Sequence, residues 1–314
     1  MIVVLSGGTG GAKFVQGLAA VALARELTVI VNTGDDLVWW GLHVSPDLDS
    51  ITYALAGMLS RKRGWGVEGD SFHCLNAMRR MGQPLWFQIG DRDLATHLRR
   101  TELLSEKKAL SEATAEIARS LGVNAHILPM SDDRVETRLL TADGELSFQE
   151  YFVRERYQVL VRGVRFDGAE GSRPAPGVLK AIAEAEAVVI APSNPITSIG
   201  PILAVPGIHE ALRRTAATVA AISPIVGGTA VSGPAGELMQ TQGLPLSIAG
   251  VARSYADFLD LLIADERDAA VGPSVEGIAV RYTKTLMKSE TDKINLARSV
   301  LEFLRERPLE AAAS

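Results

Sequence analysis

The chain has 314 residues, of which 47% are hydrophobic and 22% charged, with a formal net charge of −5 and an isoelectric point near 5.7. This composition is typical of a globular protein with a substantial core, and it excludes a disordered tail, a collagen and a coiled coil. The acidic balance argues against nucleic acid as a partner, because binding a phosphate backbone requires clustered Lys and Arg.

Cysteine content and the first residues indicate the compartment. Cys74 is the only cysteine, so the chain has neither an internal disulfide nor a four-cysteine zinc site. Met1 leads directly into the apolar run Ile2–Leu5, without the basic segment and long hydrophobic stretch of a signal peptide or membrane span. We therefore expect a soluble, cytoplasmic protein that has no membrane partner.

The first 122 residues predict a βαβ start followed by a helical segment. Ile2–Leu5 and Thr28–Val31 are short apolar runs typical of strands buried in a parallel sheet, and helical spacing joins them from Ala12 to about Arg25. Helical periodicity then dominates residues 48–122. The predicted helices are Ile51–Leu59, Phe72–Met81, Leu94–Leu104 and Ser111–Leu121, with Ser111 as the N-cap of the last.

Strand patterns begin again at Ala125. They cover Ala125–Leu128, Val135–Leu140, Leu146–Tyr151 and Gln158–Val164, and Asp143-Gly144 suits a tight hairpin turn. Helices and strands then alternate. The helices are Val178–Ala185, Gly207–Arg214, Val251–Leu259 and Ser289–Arg305, the strands are Ala187–Ala191, Thr218–Ile222 and Leu261–Ala264, and a tail follows Pro308.

These elements predict an α/β, Rossmann-like fold. We expect a mainly parallel sheet with helices on both faces, a helical insertion, and a β-hairpin or mixed sheet edge. We expect residues 1–47 and 123–314 to form the core and residues 48–122 to form the insertion.

The strongest local signal is Ser6-Gly7-Gly8-Thr9-Gly10-Gly11-Ala12-Lys13, between the first strand and the first helix. Closely spaced glycines let backbone amides approach an anion, and a helix N-terminus favours negative charge. Ala12 and Phe14 exclude a Walker loop, and Lys13 stands where a dinucleotide fingerprint has its third glycine. The alternative is a tight turn without a ligand. The predicted phosphate site comprises Gly8, Thr9, Gly10, Gly11 and Lys13.

Four acidic residues follow the second strand. Asp35 and Asp36 come after Asn32-Thr33-Gly34, and Asp47 and Asp49 come after Pro46. Carboxylates at this edge of an open α/β sheet suit Mg²⁺, which takes one or two carboxylates plus substrate phosphates. We expect Asp36 and Asp49 to be the metal ligands, ahead of the other two. The alternative is that Asp47 or Asp49 only caps the following helix.

Two further segments offer polar groups. Gly90-Asp91-Arg92-Asp93 leads into a predicted helix on which Asp93, His97 and Arg100 share one face, an arrangement that a surface ion pair would also give. Pro192–Pro201 follows an apolar strand, and nearly every residue in it fixes a backbone angle or offers a small polar group, as in a binding loop.

These segments, in this order, resemble the signature segments of the 2-phospho-L-lactate transferase family. The resemblance spans roughly residues 1–265 and implies transfer of a phospholactyl-type group from a guanosine-diphosphate-linked donor to the ribityl hydroxyl of the deazaflavin Fo. GMP is then the leaving group, in coenzyme F(420) biosynthesis. An Mg²⁺-dependent homodimer is also implied. The matching segments are Leu5–Lys13, Val31–Asp36, Val44–Asp49, Gly90–Asp93 with His97, Ile127–Asp132 and Pro192–Pro201.

The resemblance and the chemistry together assign expected roles. Asp49 binds Mg²⁺, Asp36 binds Mg²⁺ or accepts the proton of the acceptor hydroxyl, and Lys13 or Arg92 neutralises charge on the transferred phosphorus. The donor lies between the glycine loop and the loop after residue 192. The resemblance thus implies that residues 1–47 and 123–314 form a nucleotide-binding core and that residues 48–122 contribute to the acceptor site. The remaining expected ligand-binding residues are Ser193, Asn194, Thr197 and Ser198 for the donor, and Asp91, His97 and Trp39 for the acceptor.

Two alternative functions are compatible with parts of the sequence. The glycine-rich start is shared with gluconeogenesis factors that bind nucleotide sugars, so a non-catalytic regulator is the second interpretation. An NAD-dependent oxidoreductase is the third, although its third glycine and its ribose-binding acid are missing. The acid carried by the donor stays open between lactate, phosphoenolpyruvate and glycerate, which differ by a few atoms around one pocket.

Overall fold

Strands and helices alternate along the chain in a computed structural model that describes residues 1–270 and 278–306. The tail predicted after Pro308 lies outside these residues. The strands are β1 (Ile2–Ser6), β2 (Leu27–Val31), β3 (Leu37–Trp39), β4 (Leu42–Val44), β5 (His126–Pro129), β6 (Glu136–Leu140), β7 (Glu145–Ser147), β8 (Gly163–Asp167), β9 (Ala187–Ile190), β10 (Thr218–Ile222), β11 (Ile225–Val226), β12 (Thr229–Ala230), β13 (Leu261–Asp265) and β14 (Ala279–Thr283). The helices are α1 (Gly8–Ala19), α2 (Pro46–Leu55), α3 (His73–Arg80), α4 (Asp91–Ser105), α5 (Leu110–Ser120), α6 (Val178–Ala183), α7 (Gly200–Ala204), α8 (Ile208–Arg214), α9 (Ala235–Thr241), α10 (Ile248–Arg253) and α11 (Glu290–Arg305).

Seven parallel strands form the main sheet, in the order β14-β13-β10-β9-β1-β2-β5. The chain runs outward from β1 through β2 to β5 and then returns to the other side of β1 with β9. This reversal of direction leaves a crevice beyond the carboxyl ends of β1 and β9, which is where open α/β sheets bind ligands. The Rossmann-like prediction is confirmed.

Helices cover both faces of this sheet, because residues that alternate along each strand point to opposite sides. Val3 and Leu5 of β1 pack into a core with α6, α8 and α10, whereas Val4 packs into a second core with α1, α2 and α11. The inner strands of the sheet are accordingly buried on both faces, and every residue of β2 and β9 is buried, whereas the edge strands β5 and β14 are partly exposed. Within the described residues, no helix is both long and apolar enough to span a bilayer.

The predicted hairpin at Asp143-Gly144 is present, but it does not extend the main sheet. β7, β6 and β8 form a separate three-stranded antiparallel sheet, and β3 with β4 and β11 with β12 form two further antiparallel pairs, so the main sheet has no mixed edge among the described residues. The burial of β6 alternates along the strand, with one face covered. That pattern suits an antiparallel sheet lying on the molecule, whereas the main sheet requires strands that are apolar on both faces.

The strand predicted over Leu146–Tyr151 is wrong in its second half. β7 ends at Ser147, and Glu150–Arg154 forms a π-helical turn. The Ser147 hydroxyl accepts the Glu150 backbone N–H at 3.3 Å, while the Glu150 carboxylate accepts the Ser147 N–H at 2.9 Å. This reciprocal pair is the capping pattern of a helix start, and it outweighs the strand propensity of the aromatic residues around it.

Residues 48–122 contain the four predicted helices, from α2 to α5. The predicted N-cap is wrong, since α5 begins at Leu110 and Ser111 instead donates its N–H and hydroxyl to Asp132. α2 packs on α1 and α5 packs on β5, while α4 packs against β4 and α5. The prediction that residues 48–122 form a separate insertion stays a prediction.

The contact between α1 and α11 gives a test of the packing. A Cβ on Gly17 would lie 2.3 Å from the carbonyl oxygen of Lys293, and backbone cannot move aside as the tip of a side chain can. We expect Gly17→Ala to lower the free energy of unfolding by about 1–3 kcal/mol in urea denaturation. Gly171→Ala is the matched control, because a Cβ there meets no atom within 4 Å. Equal stability of the two variants would contradict the described contact.

Candidate active site

A cavity of about 740 Å³ lies beyond the carboxyl ends of the parallel strands. Its walls come from the loops after β1, β2, β9 and β10, from α2 and α4, and from the segment around the π-helical turn. Cavities of this size take small molecules and cofactors. The sequence-predicted residues in its lining are Gly8, Thr9, Gly10, Lys13, Ser193, Asn194, Thr197, Ser198, Asp49 and His97.

The glycine loop and the loop after β9 touch each other. The Gly7 N–H donates to the Ser193 hydroxyl at 3.3 Å, and that hydroxyl donates to the Gly7 carbonyl at 2.6 Å. A Cβ on Gly10 would lie 2.4 Å from the Pro192 carbonyl oxygen, so this approach requires glycine. Gly11 is buried behind the loop and does not line the cavity. The two segments predicted to hold the donor therefore form one surface.

The N-terminus of α1 has the properties of an anion site. α1 is a 12-residue helix whose first turn begins at Gly8 and receives no hydrogen bond from a capping side chain. Lys13 lines the cavity and makes no ion pair with any described residue. The backbone amides of a helix start, a helix dipole and a lysine together favour a phosphate group.

Asn194 shapes the opposite side of this surface. Its side-chain oxygen accepts the Ile196 N–H at 2.9 Å and starts a π-helical turn over Pro195–Ile199. The hydroxyl of Thr197 is buried and has no partner among the described residues. The turn thus brings Thr197 and Ser198 to the cavity beside the glycine loop.

Asp35 and Asp47 are buried carboxylates in the cavity lining. Burial raises the pKa of Asp47 to about 6, although hydrogen bonds from Asn32 and the Gly8 N–H oppose the rise. The pKa of Asp35 lies well above its ordinary value, first because of burial and then because Asp47 is close. Asp35 Oδ1 has no hydrogen-bond partner among the described residues. The pair places two carboxyl groups beside the predicted phosphate site.

Asp36 lies outside the cavity lining and is held by two neighbours. Its Oδ2 accepts the Ser45 hydroxyl at 2.6 Å and lies 3.0 Å from His43 Nε2. Burial raises the pKa of Asp36, and His43 opposes the rise. The predicted role of Asp36 as a metal ligand or a base stays a prediction.

Asp49 lines the cavity and forms an ion pair with Arg100. Arg100 Nη1 donates to Asp49 Oδ2 at 3.1 Å, and Nη2 bonds Oδ1. His97 lies between two carboxylates, with Nδ1 3.5 Å from Asp49 and Nε2 3.4 Å from Asp93. The Tyr53 hydroxyl donates to Asp93 at 2.8 Å. Asp49, Asp93 and His97 each offer a ligand atom within 4.8 Å of the others, which is a spacing that a metal ion could use.

Asp91 and Arg92 lie outside the cavity lining. The Asp91 carboxylate accepts the Ser71 hydroxyl at 2.6 Å and the N–H of Cys74 at 2.9 Å, and these bonds lower its pKa. The Arg92 guanidinium donates to the Glu68 carbonyl at 3.1 Å. Both side chains join α4 to the preceding loop, and their predicted roles in binding stay predictions.

Aromatic side chains line the far wall of the cavity. Trp39 is buried behind this wall and does not reach the cavity, but its ring packs edge-on against Trp86 at 4.7 Å between centroids. The Arg154 guanidinium lies 5.8 Å from the Trp86 centroid and joins the π-helical segment to this wall. The aromatic residues in the lining are Trp65, Trp86, Phe87, Phe148 and Phe152.

The segment around the π-helical turn lines the cavity and was missed from the sequence, where it was predicted as a strand. Phe148, Gln149, Phe152, Val153 and Arg156 all line the cavity. Their spacing is that of one helical face. The available signal was Ser147-Phe148-Gln149-Glu150, a capping box that starts a helical turn at this point.

Comparisons with known proteins give the family of this chain. A family model described as 2-phospho-L-lactate transferase CofD matches residues 2–298. The chain is 41% identical over 303 residues to the 2-phospho-L-lactate transferase of Methanosarcina mazei, covering 96% of this chain and 99% of that protein. It is 44% identical over 303 residues to the enzyme of the same name from Methanothermobacter thermautotrophicus, with 96% and 97% covered.

Two further matches are a transferase with a different name and a solved structure. A phosphoenolpyruvate transferase of Streptomyces griseus is 42% identical over 313 residues, with 97% of this chain and 98% of that protein covered. The crystal structure of a UPF0052-family protein from Bacillus halodurans has the same fold, with a TM-score of 0.64, 17% identity and coverage of 96% and 98%. From the family model and the near-complete alignments, the chain belongs to the 2-phospho-L-lactate transferase family.

Proposed function

We propose that this protein transfers a phosphorylated three-carbon acid from a guanosine-diphosphate-linked donor to the ribityl hydroxyl of Fo. The acceptor oxygen forms a bond to the phosphorus that carries the acid, the bond from that phosphorus to GMP breaks, and the hydroxyl proton is lost. One observation carries the proposal: in a chain of this family, a single cavity is lined both by the start of α1 with Lys13 and by aromatic side chains. These two parts of the lining are called the phosphate edge and the aromatic wall below.

The phosphate edge supports the donor half of the proposal. Backbone amides at the start of α1 and the Lys13 ammonium face the cavity, and the loop after β9 adds the hydroxyls of Thr197 and Ser198. A helix N-terminus contributes only about 0.3–1 kcal/mol per charge contact. A diphosphate diester brings about two negative charges, so the donor requires further positive charge.

The aromatic wall supports the acceptor half. Trp65, Trp86 and Phe87 present flat apolar surface to the same cavity, which suits the tricyclic ring of a deazaflavin. An acceptor on this wall lies in one cavity with the phosphate edge, so its hydroxyl and the donor phosphorus can meet. Positioning of this kind is the main source of rate in phosphoryl transfer.

A cation at Asp35 and Asp47 completes the proposed site. Both carboxylates are buried, face the cavity and have raised pKa values, and Asp35 Oδ1 lacks a partner among the described residues, so the pair fits a hard ion such as Mg²⁺. When bound, Mg²⁺ would neutralise charge on the donor phosphates. The assignment of the cation to Asp36 and Asp49, made from the sequence, stays a prediction. Asp36 already has His43 as a partner, and Asp49 already has Arg100.

The family membership favours an enzyme over a regulator. Relatives that are 41–44% identical over nearly the whole chain are named as transferases, and they include transferases of phospholactate and of phosphoenolpyruvate. The proposal therefore leaves the three-carbon acid open between these two. The homodimer is part of the proposal and can be tested by the mass of the protein in solution.

Binding of Fo tests the proposed function most simply. We expect saturable binding of Fo in calorimetry, and release of GMP from the guanylated donor only when both Fo and Mg²⁺ are present. The physical reason is that the attacking oxygen belongs to Fo, so the donor alone has no partner in the transfer. A UDP-sugar is the control ligand; tight binding of the sugar together with no binding of Fo would favour the regulator.

Asp47→Asn tests the proposed cation site. The pKa of Asp47 rises from 3.8 to about 6 on folding, so without metal the wild type loses stability as pH increases between these values, by up to about 3 kcal/mol. We expect Asp47→Asn to lack this loss and to be more stable than wild type at pH 7.5 in EDTA, measured by urea denaturation at several pH values.

The response to Mg²⁺ separates the two pairs of carboxylates. An ion that binds only the folded state raises the unfolding temperature. We expect Mg²⁺ to stabilise the wild type and the control Asp36→Asn, and not Asp47→Asn. If Asp36→Asn loses the response and Asp47→Asn keeps it, the ion belongs to Asp36 and Asp49.

A further inference from the structure

We propose that Arg100, which does not line the cavity, is a positioning residue for the transfer and acts through Asp49. The inference rests on the proposed function, since Asp49 matters only if the cavity is the site of reaction. Arg100 lies on α4 and Asp49 on α2, so the pair also fixes the relation between two helices that wall the cavity.

The geometry of the pair fixes the carboxylate. Arg100 uses two nitrogens on the two oxygens of Asp49, and its side chain is only 2% exposed. A two-point guanidinium contact sets both the position and the plane of a carboxylate, which a single bond does not. Each carboxylate oxygen has about two acceptor positions, so one on each stays available for hydrogen-bond donors in the cavity.

Arg100 also supplies positive charge to the cluster formed by Asp49, Asp93 and His97. Asp49, Asp93 and His97 have the spacing of a metal site, but Arg100 bonds Asp49 and lies 3.4 Å from His97 Nδ1. A divalent ion bound to the three residues would lie close to the guanidinium, where like charges repel. We infer that the guanidinium takes the place of a metal ion here. A buried ion pair contributes little net stability compared with apolar packing, which favours a functional reason for it.

The neighbouring residue Arg99 provides a matched control. Arg99 is on the same helix, but its side chain is 45% exposed and pairs with Glu102 and Glu116, away from the cavity lining. A change at Arg99 removes the same chemical group from α4 without touching Asp49. Arg99→Ala should therefore keep the turnover and the KM values of the wild type.

Arg100→Ala and Arg100→Lys test the role. We expect Arg100→Ala to lower kcat by about 100-fold, with the KM for the donor within about threefold of wild type, because Asp49 loses its orientation and the donor keeps the phosphate edge. Millimolar guanidinium ion should restore part of kcat. Arg100→Lys keeps the charge but bonds one oxygen at a time, so its kcat should lie between those of Arg100→Ala and the wild type.

The outcomes separate the proposal from its alternatives. Circular dichroism and thermal unfolding establish that each variant is folded, and if Arg100→Ala does not fold, Arg100→Lys decides. Wild-type kcat in folded Arg100→Lys or Arg100→Ala would overturn the role of Arg100, as would activity that follows the folded fraction alone and does not respond to guanidinium. If the wild type and Arg99→Ala release no GMP from the guanylated donor in the presence of both Fo and Mg²⁺, the proposed function itself is contradicted.

Discussion

The site depends on one close contact, the approach of Gly10 to the Pro192 carbonyl at the point where the strand order reverses. No side chain fits between these loops, because a Cβ on Gly10 would lie 2.4 Å from that oxygen. The Ser193 hydroxyl joins the loops by bonding both the N–H and the carbonyl of Gly7. The contact joins the start of α1 and the loop after β9 into a single surface, and both segments line the cavity.

The carboxylates that line this cavity differ in whether a cation of the protein compensates their charge. Asp49 is compensated from within the protein by Arg100, which the solvent does not reach. Asp35 and Asp47 have no such cation among the described residues, and burial raises the pKa of both. A protein that must bind a diphosphate beside two carboxylates requires a further cation, and the uncompensated pair marks where that cation can act. Asp49, whose charge Arg100 compensates, is then available to orient the substrates.

The sequence predicted what depends on neighbouring residues and missed what depends on distant ones. Short continuous apolar runs predicted the parallel sheet, and the glycine-rich turn predicted a binding loop at a place that lines the cavity, because those patterns are local. Asp35 and Asp36 are adjacent in sequence, yet only Asp35 lines the cavity, because the path of the loop into β3 decides which one does. Likewise, Trp39 lies behind Trp86, which is 47 positions later in the sequence, and Arg100 pairs with Asp49 on a different helix. Both contacts join residues that are distant in the sequence.

The central claim is that the crevice at the reversal of strand order binds the donor diphosphate, and a crystal structure of the complex with GDP tests it directly. The account predicts phosphate oxygens within hydrogen-bond distance of the backbone amides of Gly8–Gly10 and of the hydroxyls of the loop after β9. Phosphates lying more than roughly 6 Å, about two hydrogen-bond lengths, from both loops would contradict it.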